Sequence, residues 1–213
     1  MSPAQSPTPV IVLERPIPGV LVIRLNRPER LNAMTTELVE GLHQVLDGIA
    51  IDADCRVVIL TGAGRGFCAG LDLTGYGNAP HTEDMGAVQR SFAVQKHIAG
   101  LMSHMRSIPQ PIIAAVNGAA VGWGMELALM ADIRVASEKA RFGELFVLRG
   151  LCSDVAGLGR LAQAVGRERA AEMLFTGDVI DADTALDWGL VGRVVPHDEL
   201  LPVALGLAQR IAS

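Results

Sequence analysis

The chain has 213 residues and a formal net charge of −5; half of its residues are hydrophobic and 19% are charged. This apolar fraction can offset the entropy lost on folding, which excludes a disordered protein. The acidic balance excludes the basic surface that nucleic-acid binding requires. We therefore expect one folded domain, with at most a small appendage, and no nucleic-acid partner.

Cysteine and histidine spacings exclude further classes. Cys55, Cys68 and Cys152 form no CxxC pair, and we expect reduced core thiols in a cytoplasmic protein. The five histidines show no metal-ligand spacing, so no metal site is expected; His97 and His104 are expected at the surface or in a subunit contact. The most apolar stretch, residues 111–131, is broken by glycines and a glutamate, so no membrane span is predicted.

The first half of the chain reads as strands followed by a helix. Residues 1–9 are expected to form a flexible tail, and strands are predicted over Val10–Glu14 and Val20–Leu25. A helix is predicted to begin after Thr35 or Thr36. Arg56–Thr61 is a short, nearly continuous apolar run, which indicates a buried parallel strand.

The pattern then repeats. A Gly-rich loop (62–70) and a mobile surface loop (74–87) precede a predicted helix over 88–107. Strands are predicted over Pro111–Val116 and Ile133–Ala136, with a second Gly-rich turn, Gly118–Gly124, between them. Helical segments are predicted to fill most of the chain from residue 155. This alternation is typical of an α/β fold.

The first Gly-rich loop does not match a dinucleotide-binding fingerprint. In G-x-G-x-x-G the third glycine would fall at Phe67, and no helix pattern opens there. A tight turn does not by itself require the additional run from Cys68 to Leu73. This loop is therefore a candidate binding segment.

The second Gly-rich turn, Asn117–Glu126, joins a strand to an apolar helix. The first N–H groups of such a helix have no internal partner and point outward with the positive end of the helix dipole, so they can hold a developing anion. Glu126 lies in the first helical turn, where it is either a capping carboxylate or a general base. Asp154 precedes another predicted helix and is either an N-cap or a functional acid.

Together these segments resemble the enoyl-CoA hydratase/isomerase (crotonase) superfamily. The matches occur in order between residues 10 and 196. They comprise Leu25–Pro28 with Leu31–Met34, Val57–Gly62 running into Gly66–Leu73, Pro111–Glu126, Ala131–Ala136, Ala140–Gly143, Phe175–Gly177 and Ala182–Val195.

The resemblance implies a spiral of repeated ββα units with C-terminal helices, assembled as a homotrimer or a pair of trimers. It implies a core domain over 10–196, and 197–213 as the start of a C-terminal helical region that is expected to be incomplete. It also implies that coenzyme A enters as part of an acyl-CoA substrate, not as a separate cofactor. The amides of Leu71 and Trp123 would form an oxyanion hole, and Arg30, Ala69, Gly70, Leu71 and Asp72 would contact the CoA moiety.

This chain departs from the hydratase pattern at one catalytic position. Hydratases of the family use two glutamates, and Glu126 matches the first, whereas Phe146 stands at the position of the second. Glu144 is offset from that position by two residues. Asp154 falls where isomerase members often carry an acid and where the dehalogenase branch carries a nucleophile.

We therefore predict double-bond isomerisation, with Glu126 or Asp154 moving the proton. A hydratase, a hydrolase or dehalogenase that uses Asp154, and a non-catalytic acyl-CoA-binding member remain alternatives.

Overall fold

The computed structural model describes residues 9–76, 81–153 and 157–213. Within these residues the strands are β1 (Ile11–Ile17), β2 (Val20–Leu25), β3 (Val57–Gly62), β4 (Gly66–Cys68), β5 (Ile112–Val116), β6 (Ala119–Val121), β7 (Ile133–Ser137), β8 (Arg141–Gly143), β9 (Val179–Asp181) and β10 (Arg193–Val195). The α-helices are α1 (Thr36–Ala50), α2 (Ala87–Ser107), α3 (Trp123–Met130), α4 (Ala162–Val165), α5 (Arg167–Thr176), α6 (Ala182–Asp187) and α7 (Leu200–Ala212).

The strands form two sheets. The larger has the order β1-β2-β3-β5-β7-β10 and the smaller has the order β4-β6-β8-β9. Pairing is parallel except between β1 and β2 and between β8 and β9. The α/β class expected from the sequence is therefore confirmed.

Both faces of the larger sheet are covered, which explains the continuous apolar runs of its central strands. Alternate residues of β2 and β3 point to opposite sides of the sheet. Leu21 and Val58 belong to the main core on one side, while Val20 and Val57 pack with α7 on the other. The main core also contains buried residues of α1, α2 and α3.

Helix α1 begins as the sequence predicts. Thr35 is the N-cap, and its side chain accepts a hydrogen bond from the Leu38 amide. Its apolar face, which includes Leu38, Leu42 and Leu46, is buried. Helix α2 confirms the helix expected over 88–107, starting one residue earlier.

Four short strands lie where the sequence predicts other structure. β4 and β6 are inside the two Gly-rich segments, and β9 and β10 interrupt the region from 155 that was expected to be mostly helical. Each has three residues, too few for a periodic hydrophobic signal. They form by pairing in the sheets: β4 with β6, β6 also with β8, β9 with β8, and β10 with β7.

One expectation about the cysteines is wrong: Cys55 and Cys68 are buried, but Cys152 is exposed and is not a core thiol. His97 and His104 lie against His43 between α1 and α2, with ring centroids 5.3 Å and 5.1 Å from that of His43. Both are partly exposed in the single chain, and their part in a subunit contact stays a prediction.

Other expectations fall outside the described structure or stay predictions. Residues 1–8 of the expected tail, and 77–80 of the expected mobile loop, lie outside the described residues. The domain boundaries at 10–196 and 197–213 stay predictions. Within the described ranges no helix is long and apolar enough to cross a membrane.

Candidate active site

The first Gly-rich loop is held by two asparagine side chains. Asn117 accepts from the Gly62 amide at 3.1 Å and donates to the Gly64 carbonyl at 2.9 Å. Asn32, which is fully buried, donates to the carbonyls of Ala63 and Gly66. Neither role can be predicted from the sequence, because each side chain reaches the loop through space.

The loop ends in an extended segment beside Met34. The Met34 amide donates to the Gly70 carbonyl at 2.8 Å, and the Asp72 amide donates to the Met34 carbonyl at 3.0 Å. Because neighbouring peptide groups of extended backbone point in opposite directions, the amide of Leu71 points away from Met34. Within the described ranges, no backbone or side-chain acceptor takes a hydrogen bond from this amide.

The second amide is at the start of α3. Trp123 is the first residue of that helix, so its N–H group has no acceptor within the helix. The preceding Gly122 has φ +53°, in the left-handed region that favours glycine. The resulting turn directs the chain from β6 into the helix.

The two amides are brought together by direct backbone packing. A Cβ on Gly70 would lie 3.6 Å from the Trp123 nitrogen, and Gly70 itself has φ +90°. A Cβ on Gly124 would overlap the backbone carbonyl of Cys68. Glycine at both positions therefore allows the start of α3 to lie directly against the segment that carries Leu71.

Both amide-bearing residues line one cavity of about 380 Å³. Its lining includes the segment Ala69–Leu71 with Gly122 and Trp123, the apolar residues Leu73, Leu145, Phe146, Leu148 and Leu151, and the cationic residue Arg149. Two N–H groups beside a largely apolar cavity can stabilise an oxyanion more strongly than they could in water. Phe146, at the position of the missing second glutamate, is therefore part of this cavity.

A larger cavity, of about 1180 Å³, lies between β1 and α1. It borders none of the described residues that the sequence analysis assigned to the site. Volume alone does not identify a reactive site, whereas paired unused amides do. We therefore take the smaller cavity as the candidate active site.

Glu126 lies on α3, three residues after Trp123, and is fully buried. Its carboxylate accepts hydrogen bonds from the Ser153 hydroxyl and, at 3.0 Å, from the Gly157 amide. It does not line the cavity wall, but the i, i+3 spacing places it on the same face of α3 as Trp123. The donors orient a carboxylate next to the candidate oxyanion hole.

A second carboxylate reaches the same place. Glu144 follows β8 and is fully buried, and a Cβ on Gly157 would lie 2.7 Å from its Oε1 atom. The Ser153 hydroxyl borders that same position. No role was expected for Glu144, Ser153 or Gly157. The one signal in the sequence was an acid, Glu144, near the expected position of the second glutamate.

Two of the residues predicted to contact CoA, Arg30 and Asp72, are not among the residues that line the cavity. Arg30 is exposed at the end of a short 3₁₀ turn, Pro28–Arg30. Asp72 is buried, forms a 2.9 Å ion pair with Arg27 and accepts from the Thr74 hydroxyl at 2.6 Å. These contacts, that of Thr74 first, lower the pKa of Asp72 to about 2. The Asp72 carboxylate therefore fixes the position of the end of the first Gly-rich loop through its contacts with Arg27 and Thr74.

Asp154, the other predicted acid, lies outside the described residues. The roles predicted for Glu126, Asp154, Leu71, Trp123, Arg30, Ala69, Gly70 and Asp72 stay predictions. The described part of the chain contains no group of three or more metal-ligating side chains suited to a metal ion.

Known proteins resemble this chain over nearly its whole length. The family model described as enoyl-CoA hydratase/isomerase matches residues 17–213. A "Probable enoyl-CoA hydratase" of Mycobacterium leprae is 41% identical over 212 residues, which are 99% of this chain and 72% of that protein. The 1,2-epoxyphenylacetyl-CoA isomerase of Escherichia coli is 37% identical over 196 residues, covering 92% of this chain and 73% of that protein.

Structural similarity leads to the same family. The crystal structure of an enoyl-CoA hydratase from Bacillus anthracis superposes with a TM-score of 0.86 at 38% identity, covering 95% of this chain and 76% of that one. The expected crotonase-like fold is thus confirmed. The chain belongs to the enoyl-CoA hydratase/isomerase family and is an enzyme of that family.

Proposed function

We propose that the enzyme moves the double bond of an enoyl-CoA thioester, with Glu126 as the base and the amides of Leu71 and Trp123 as the oxyanion hole. The observation that carries the proposal is Phe146 in the cavity wall. The hydratase pattern has a proton-delivering glutamate at that position, and a phenylalanine cannot transfer a proton. The buried carboxylate of Glu126, close to two amides that have no acceptor among the described residues, suits the removal of a proton and its return.

The proposed reaction begins at the carbon next to the thioester carbonyl. Glu126 takes a proton from this carbon as the C–H bond breaks, and the electron pair moves onto the thioester oxygen. The Leu71 and Trp123 amides stabilise that oxyanion, a contribution typically worth about 10²- to 10³-fold in rate per donor. The protonated carboxyl of Glu126, or Asp154, then gives a proton to the carbon two positions further along the chain.

Hydration is the second candidate, and the name of the Mycobacterium leprae relative favours it. A hydratase would need another acid to replace the one absent at 146. The name of the Escherichia coli relative, an isomerase acting on a CoA thioester, supports the first candidate. The two reactions differ in the mass of the product.

The deciding experiment incubates the enzyme with 3-enoyl-CoA and, separately, with crotonyl-CoA in D₂O, and follows products by mass spectrometry. We expect the 3-enoyl thioester to isomerise without adding water, and deuterium to enter at the carbon that is reprotonated. E126Q should abolish the conversion, whereas E138Q, at an exposed glutamate, should preserve it. Rapid addition of water to crotonyl-CoA would overturn the proposal.

The proposal also includes assembly as a homotrimer or a pair of trimers in the cytoplasm. Large apolar side chains that are exposed in the single chain support it, including Phe92, which is 75% exposed, and Phe175, which is 79% exposed. Light scattering should give three or six times the mass of one chain. A monomer at micromolar concentration would contradict this part.

A further inference from the structure

Gly157 lies between two buried carboxylates that come from different elements. Its amide donates to Glu126 Oε2 at 3.0 Å, and the position of a Cβ on Gly157 would be 2.7 Å from Glu144 Oε1. Both carboxylates belong to fully buried residues. The two acids therefore border the same residue, although they are separated in sequence by β7 and β8.

Ser153 lies close to both acids. Its hydroxyl donates to Glu126 Oε1 and also borders the Cβ position of Gly157, next to Glu144 Oε1. Ser153 is only 1% exposed, so the group is shielded from bulk water. A glycine at 157 leaves the space that these oxygens occupy.

Buried carboxylates influence one another strongly. A negative charge on one disfavours ionisation of its neighbour, because little water is present to screen the charges. Neither Glu144 nor Glu126 is among the residues that line the cavity, but Glu126 shares a face of α3 with Trp123, whose amide is proposed for the oxyanion hole. We therefore assign the reacting role to Glu126, and an effect of Glu144 on the reaction would pass through it.

We propose that Glu144 is a positioning residue for Glu126, acting through Ser153 and Gly157. It stands two residues before Phe146, so it does not replace the second glutamate of the hydratases. Instead it controls how readily Glu126 accepts and releases a proton. This inference rests on the proposed function, since Glu126 is the base there.

The kinetic test compares the pH profiles of wild type and E144Q in the D₂O isomerisation assay. We expect kcat to fall by about tenfold or more, with KM within about twofold, because Glu144 does not contact substrate. We also expect the acid limb of the kcat profile to move to lower pH, since Glu126 loses a like-charged neighbour. Unchanged kcat and an unmoved profile would overturn the proposal.

Two further variants separate positioning from simple structural damage. In a background that carries S153A, E144Q should move the acid limb of the kcat profile by less than it does in wild type, because the hydroxyl close to both acids is absent. E144D keeps the charge, and its profile should stay closer to wild type than that of E144Q. A loss of kcat that is equal in E144Q and E144D, with no change in either profile, would indicate a structural role only.

A second readout does not need turnover. Unfolding of wild type, E126Q, E144Q and the double variant is measured by denaturant titration at pH 5 and pH 8. We expect the changes that E126Q and E144Q make in the free energy of unfolding to be non-additive in the double variant, and the size of this coupling to differ between the two pH values. Additive effects at both pH values would overturn the proposed coupling between Glu126 and Glu144. Coupling in a protein that shows no isomerase activity would overturn only the proposed function.

Discussion

Gly124 lies so close to the backbone carbonyl of Cys68 that a Cβ at position 124 would overlap the carbonyl oxygen. The same Cβ would stand 2.9 Å from the Cys68 side chain, which is fully buried and cannot move aside. This contact joins the start of α3 to the segment that carries Leu71. The distance between the two proposed oxyanion-hole amides therefore depends on a glycine that does not itself line the cavity.

G124A should separate the two amides. We expect kcat of the isomerisation to fall by about 10²-fold or more, as for loss of one oxyanion-hole donor. Protein stability should fall as well, by about 1–3 kcal/mol, because of overpacking. Steady-state kinetics and denaturant titration measure the two effects.

The control is G206A in α7, where an added Cβ meets nothing within 4 Å. It should leave kcat unchanged and raise stability by about 0.5–1 kcal/mol, as expected for alanine in place of glycine in a helix. Wild-type activity in G124A would contradict the assignment of these amides.

F146E should increase water addition. The substitution places a carboxylic acid in the cavity wall, where the hydratase pattern has one, and general acid catalysis is worth about 10²- to 10⁴-fold. Hydration of crotonyl-CoA, followed by mass spectrometry, should therefore rise by at least tenfold. F146Q provides the control for shape and polarity; equal hydration by both variants would argue against a role for the acid.

D72N should lower stability in a pH-dependent way. The hydrogen bonds of Thr74 and the ion pair with Arg27 hold the pKa of Asp72 at about 2, below its ordinary value. The stabilisation is complete above the ordinary carboxyl pKa of about 4 and is lost as the pH falls towards 2. We expect D72N to lower the free energy of unfolding by about 2 kcal/mol at pH 7.

Denaturant titration at pH 7 and at about pH 3 tests this prediction, and the difference between D72N and wild type should shrink at the lower pH. D187N is the comparison, since Asp187 forms an exposed 3.8 Å pair with Arg169. It should cost less than about 1 kcal/mol. A cost of D72N that did not vary with pH would be inconsistent with the ion pair.

The histidine cluster between α1 and α2 should weaken the fold in acid. Burial lowers the pKa of His43, the neighbouring His97 and His104 rings also lower it, and the His97 carbonyl and Asp47 raise it. A histidine with a lowered pKa stabilises the fold while it is neutral, and this stabilisation is lost as the pH falls below about 6.5.

We therefore expect the thermal midpoint of H43Q to fall less than that of wild type between about pH 7.5 and 5.5. Differential scanning fluorimetry over this range provides the measurement. H81N, at an exposed histidine with φ +58°, should follow wild type. If the thermal midpoints of H43Q and wild type changed equally with pH over this range, the burial of His43 would not be the cause of the loss of stability in acid.

Local sequence patterns determined the class of the fold and the two turns of the candidate site. Apolar runs such as Val57–Leu60 form buried strands because their residues suit both faces of a covered sheet. Glycines at 70 and 124 indicate close backbone approach because no other residue lacks a Cβ, and Gly122 suits a turn that needs a positive φ. These signals lie within a few residues of each other, so they can be read without the structure.

Tertiary packing decided which groups surround Glu126. Ser153 and Gly157 reach it from a segment about thirty residues away, and Glu144 joins them because β8 ends beside that segment. Spacing along the chain places Glu144 two residues from the expected acid and carries no information on the direction of its side chain. That direction depends on the pairing of β8 with β6 and β9, which only the folded chain establishes.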